Sequence, residues 1–146
     1  MRKLKLLFIF LILSIFATSG FAKKDLSVSE AEVNKFYDSL MQLVSYDKYR
    51  DFYDDYIEKL DISYENFVKE IKTRGIMISG GYDSKLIGWQ RKGKKVVITI
   101  ETKVDNEGVK RLHLALDDKK EGLKISAKEF FKLCKQKNVK IRRRTK

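Results

Sequence analysis

The chain has 146 residues, with 32 lysines and arginines against 20 acids and a formal net charge of +12. It contains no proline, one cysteine and one histidine, which rules out an intrachain disulfide and comes close to ruling out a zinc site. The charge is unevenly placed: apart from three basic residues in 1–22, residues 119–146 carry twelve basic residues and two acids, whereas residues 23–118 carry seventeen against eighteen, so beyond residue 22 one end holds the whole excess.

The first segment reads as an address. "MRKLK" supplies Arg2, Lys3 and Lys5, residues 6–13 are unbroken apolar, and "TSGFA" places Gly20 and Ala22 at the −3 and −1 positions of a signal-peptidase cut. This is the three-part layout of a secretory signal, and its apolar core of about a dozen residues is shorter than the ~20 that span hydrocarbon. Cleavage after Ala22 is expected, with export to the periplasm or beyond and no transmembrane span in what remains. Residues 23–137 then suffice for one domain with its own core, and 138–146 form a basic tail or an added edge strand.

Three stretches open with the same local chemistry. "VSEAEV" offers Ser29 as helix N-cap, Glu32 as its capping-box partner, and Val28 and Val33 as an apolar staple; "ISYENF" does the same with Ser63, Ile62 and Phe67; "ISAKEF" repeats it with Ser126, Glu129, Ile125 and Phe130. The first helix runs to about Val44 with Val33, Phe36, Tyr37, Leu40 and Val44 on one face. A second begins near Asp47 with a stripe of Phe52, Tyr53, Tyr56, Ile57 and Leu60. A short third buries Phe67, Val68 and Ile71 and stops at Gly75.

The period then changes from helical to alternating. "SKLIGWQRKG" predicts a strand turning at Gly93. "KKVVITIETKV" sets Val96, Ile98, Ile100 and Thr102 on one side, and "VKRLHLALD" sets Leu112, Leu114 and Leu116 against Arg111, His113, Ala115 and Asp117. "DNEG" is the turn between them, "GLKIS" a short fourth strand, and 127–137 a closing helix carrying Phe130, Leu133 and a buried Cys134. Helices first, then a meander, then a helix, argue an α+β fold: three N-terminal helices on a curved antiparallel sheet of about four strands, with an added C-terminal helix and basic tail.

Residues 29–125, with "VSYDKYRDFYDDYIEKL" feeding the second helix, "SYENFVKEIKTRG" after it and "LALDDKKEGLKI" as a closing hairpin, resemble the nuclear-transport-factor-2-like superfamily. That is the cone-shaped fold of ketosteroid isomerases and polyketide cyclases, here in an exported bacterial form extended past Ile125. The resemblance implies a pocket for an apolar ligand near Tyr53, Tyr56, Asp83 and Trp89, and, were the chain an enzyme, a cofactor-independent isomerase or cyclase.

The residues themselves commit to no reaction. His113 sits at the strand position opposite the leucines, facing away from the core. Asp83, in "SGGYDSK", reads as a loop aspartate, and the acids Asp47, Asp51, Asp54, Asp55 and Glu58 as a solvated helix face. No phosphate loop, nucleophile elbow or metal-ligand spacing occurs, so neither catalytic residue nor cofactor is expected. What stands out is the basic end: Lys135, Lys137, Lys140, Arg142, Arg143, Arg144 and Lys146. It suits an anionic polymer or lipid head groups, although a protein partner is also compatible. Specific nucleic-acid recognition is disfavoured, because no base-stacking aromatic lies beyond Phe131. The expectation is an exported, non-catalytic binding or accessory protein of the bacterial envelope; the alternative is the apolar-ligand cone.

Overall fold

The computed structural model describes residues 28–104 and 106–136. The expected signal at 1–22, the tail at 138–146 and the cations Lys137, Lys140, Arg142, Arg143, Arg144 and Lys146 lie outside the described residues. Among the described residues the fold is α+β, with four α-helices and an open four-stranded antiparallel sheet. Helices α1 (Glu30–Tyr46), α2 (Tyr49–Tyr56) and α3 (Tyr64–Arg74) precede strands β1 (Ser84–Lys92), β2 (Lys95–Val104), β3 (Gly108–Lys119) and β4 (Gly122–Lys124). A one-turn helix α4 (Ala127–Phe130) and a 3-10 turn (Phe131–Leu133) follow.

The serine caps form as their local chemistry requires. Ser29 Oγ accepts from the Glu32 amide at 3.3 Å, and the Glu32 carboxylate accepts from the Ser29 amide at 2.8 Å, closing a capping box. Ser63 and Ser126 accept from the amides of Asn66 and Glu129. The third box is incomplete, because the Glu129 side chain goes elsewhere: its Oε1 accepts from the Ala115 amide at 3.0 Å. β4 pairs with β3 only from Asp117 onward, so Ala115 lies beyond the reach of that strand and the glutamate satisfies its N–H instead.

Strand order is β1-β2-β3-β4, every pair antiparallel. Val96, Ile98, Ile100 and Thr102 of β2 and Leu114 and Leu116 of β3 are buried on the face that meets the helices. The opposite face is polar, as one-sided antiparallel sheets allow. β1 is an edge strand, and it carries an irregularity between Leu86 and Gly88 together with Lys85 and Lys92, devices that discourage pairing with another chain.

Phenylalanines fill the space between helices and sheet. Phe36, Phe52, Phe67 and Phe130 are all fully buried. Phe52 lies 5.6 Å from Phe36 and 5.5 Å from Phe130, and Phe130 lies 5.0 Å from Phe67, centroid to centroid. The chain after β4 joins this core through backbone bonds: the Ile125 amide donates to the Tyr56 carbonyl at 2.8 Å, and the Glu58 amide donates to the Ile125 carbonyl at 3.1 Å.

Three expectations need correction. Leu60 is not in the α2 stripe: α2 ends at Tyr56, Ile57 turns extended to bridge Ile125, and Leu60 is 100% exposed. Leu43, absent from the expected face of α1, is buried on it, and Val44 is half-buried against the same core. The closing helix does not run over 127–137; it gives way after Phe130 because Leu133 and Lys135 pair with another segment, as described below.

Phe130→Ala, which empties the junction of Phe52 and Phe67, is expected to cost about 3–5 kcal/mol of unfolding free energy. Leu60→Ala is expected to stay within about 0.5 kcal/mol of the parent. Denaturant titration of the two variants checks both values, and equal effects would contradict the core described here.

Candidate functional site

The pocket residues implied by the resemblance are distributed rather than gathered. Tyr53 is buried against Tyr64 and Phe67, and its hydroxyl donates to the Ile62 carbonyl at 2.7 Å. Tyr56 packs on Phe36 and accepts from the Ser39 hydroxyl at 3.4 Å. Both hydroxyls are therefore occupied within the helical layer. Asp83 is exposed in the 3-10 turn before β1, and Trp89 stands opposite Ile98 on the edge strand, 37% exposed. Tyr56 lines one surface hollow and Trp89 a different one.

The imidazole lies on the polar face of the sheet. His113 pairs in register with Thr99, which pairs with Gly88, and His113 Nδ1 is 3.0 Å from Thr99 Oγ1. Because Gly88 has no side chain, that row leaves a shallow depression of about 400 Å³ bordered by Ile87, Trp89, Gln90 and Arg111. Glu101, paired in register with Arg111 two residues along the same strands, accepts from Arg111 Nε at 3.1 Å and faces Lys85 Nζ at 3.2 Å. Those two cations hold it below the usual carboxylate range. A glutamate so engaged is poorly placed to orient the imidazole. Among the described residues no group of histidines, cysteines and acids is arranged to hold a metal ion.

A wider concave feature than either of these hollows lies where the end of α3, the β2–β3 turn and the closing turns meet. It is an open groove of about 990 Å³. Five cations line it, Arg74, Lys110, Lys128, Lys132 and Lys135, with one acid, Glu107. Its apolar surface comes from Met77 and Phe131. Of these cations only Lys135 stood among the candidates drawn from the sequence. The others come from three further places in the chain, the end of α3, β3 and the closing turns, and only Lys128 and Lys132 share a local spacing.

Backbone pairing positions the groove. The Met77 amide donates to the Leu133 carbonyl at 2.7 Å, and the Lys135 amide donates to the Gly75 carbonyl at 3.0 Å, so Cys134 bridges Ile76 as in an antiparallel ladder. Gly75 closes α3 at φ +74° and ψ 150°, a conformation that essentially only glycine adopts. Arg74 locks the junction: its Nε donates to the Lys135 carbonyl at 2.9 Å and its Nη2 to the Phe131 carbonyl at 3.1 Å, with the guanidinium 5.3 Å from the Phe131 ring centre. Arg74 is thus largely a structural clamp, whereas the lysines are available. Lys110 forms an exposed pair with Glu107, worth about 0–1 kcal/mol and readily exchanged, and Lys132 pairs with the half-buried carboxylate of Glu129. Lys128 and Lys135 have no carboxylate within ion-pair distance among the described residues.

Burial pushes the Cys134 thiol up from an ordinary 9.0 to about 11, a rise that Arg74 opposes and Glu70 assists. Keeping this group neutral contributes stability that is complete below pH 9 and is lost as pH rises toward 11. The stability of the native chain relative to Cys134→Ala is therefore expected to fall across that window, and iodoacetamide at pH 8 is expected to label the thiol only after unfolding. Prompt labelling of the folded chain would contradict its burial. Gly75→Ala is expected to cost about 1–3 kcal/mol in denaturant unfolding, through the forced backbone angle.

Among the described residues no helix is long and apolar enough to cross a membrane. No protein-family model, curated protein or solved structure matches this chain.

Proposed function

We propose that this chain is an exported, non-catalytic binding or accessory protein of the bacterial envelope, which contacts anionic surfaces or polymers through its basic C-terminal end. The observation that carries the reading is the coincidence of two charge features. The surplus of residues 119–146 begins on the body, as Lys128, Lys132 and Lys135 around one groove, and continues directly into residues 137–146, where six of ten side chains are cationic. The clamp of Leu133 and Lys135 onto Gly75 and Met77 gives that run a fixed point of departure. Each lysine or arginine near an anionic surface contributes about 1 kcal/mol, so several together suffice for attachment in dilute salt. Export rests on the three-part layout of residues 1–22.

The alternative, an apolar-ligand cone akin to the isomerases and cyclases, requires a hollow between helices and sheet. The interlocked rings of Phe36, Phe52, Phe67 and Phe130 occupy that space, which favours the first reading. The likeness to the cone-shaped superfamily rests on the order of elements alone.

Retention on a heparin column is the direct test. The chain is expected to elute at progressively lower retention as salt rises, because binding releases counterions. A variant lacking 138–146 is expected to elute at much lower salt. Equal elution of the two forms would remove the tail from the proposal.

A further inference from the structure

The groove has a chemistry more specific than that of a positive surface. Its lysines come from three separate stretches, Lys110 on β3, Lys128 and Lys132 on the closing turns, and Lys135 on the clamped segment, so they border the hollow rather than point along one helix face. Between them lie Met77 and Phe131, both half-buried. The ligand that suits this lining carries anionic groups at intervals and offers apolar surface between them.

We propose that the groove binds an anionic polysaccharide, with sulfate or carboxylate groups held by Lys110, Lys128, Lys132 and Lys135, and C–H faces of its sugar rings lying on Met77 and Phe131. The inference rests on the reading of this end as an anion-binding end and names the ligand class and the residues that take it. Charge complementarity selects the sign: among the described residues five cations line the groove against one acid, Glu107, which is engaged by Lys110. The apolar lining then narrows the choice. A polyphosphate chain supplies charge but nothing to cover Met77 and Phe131. A nucleic acid would need several aromatic faces on which to stack successive bases; among the described residues Phe131 is the one aromatic side chain bordering the groove. A flat bilayer would meet the exposed lysines at the rim and leave the recessed residues uncovered. Arg74 retains capacity for a ligand, since two of its five N–H donors go to backbone carbonyls.

The test is isothermal titration of the full chain with a short heparin-derived oligosaccharide, with inorganic polyphosphate of matched charge, and with vesicles containing an anionic phospholipid. Three further proteins are compared: Lys128→Glu with Lys135→Glu, deletion of 138–146, and both together. The two lysines are exposed and unpaired with carboxylates among the described residues, so the variant is expected to keep the parent's circular dichroism. In the chain that keeps 138–146, the double substitution is expected to weaken oligosaccharide binding by more than about tenfold. It should also lower the slope of log affinity against log salt by roughly two. The oligosaccharide is expected to bind more tightly than polyphosphate or vesicles. Unchanged oligosaccharide affinity in the double variant overturns the groove, and if deletion of 138–146 alone abolishes binding, the broader tail reading survives it. Loss in the double variant with no effect of the deletion supports the groove and removes the tail. Equal or tighter binding of polyphosphate, or of vesicles, overturns the assignment to a polysaccharide.

Discussion

Phe130 is where the molecule is tied together. Its ring sits 5.5 Å from Phe52 of α2 and 5.0 Å from Phe67 of α3, and it belongs to the last helical turn of the described chain. Aromatic pairs at such separations add about 0.5–1.5 kcal/mol each beyond the area they bury. More consequential is what they join. α2 and α3 precede the sheet in sequence and α4 follows it, so these contacts close the chain over the inner sheet face. The turn that presents Lys128 and Lys132 to the groove is held through this one side chain and through its neighbour Phe131, 6.3 Å from Phe67.

The sheet divides the chemistry into two kinds. Its inner face is apolar and packed, from Val96 to Ile100 on β2 and from Leu114 to Leu116 on β3. Its outer face carries the network of Lys85, Glu101 and Arg111 and the Thr99–His113 contact, all open to solvent. Proton-transfer groups work best where water is scarce and their pKa values are displaced, and the histidine is instead on the solvated side. The groove lies apart from both faces, at a junction where the backbone of 75–77 meets that of 133–135. Junctions of this sort gather side chains from remote positions, and here half of the lining side chains are cationic.

The elements were legible in the sequence where their cause is local. A serine followed three residues later by its amide partner, with valines or a phenylalanine as staple, specifies a helix start irrespective of what the rest of the chain does, and Ser29, Ser63 and Ser126 all cap. Alternation fixed the inner face of β2 residue by residue. Stops were less legible than starts. Leu60 and the stretch after Phe130 continue a helical pattern, yet the backbone at Ile57 and at Leu133 finds distant partners in Ile125 and Met77, and tertiary hydrogen bonds override periodicity there. The groove was the least legible feature. Lys135 stood out as part of a charge run, but Arg74, Lys110 and the pair Lys128 and Lys132 come from three separate segments and meet only in the folded chain.

The short ladder between 75–77 and 133–135 also has a mechanical side. A force applied at Gln136 meets this ladder first at the Lys135–Gly75 bond, then at Leu133–Met77, with the Arg74 guanidinium holding the Lys135 and Phe131 carbonyls from the flank. The sheet and the phenylalanine rings stand behind that fastening. A tethered molecule pulled by flow or by a moving surface would thus strain a small, reformable latch before the fold itself takes the load.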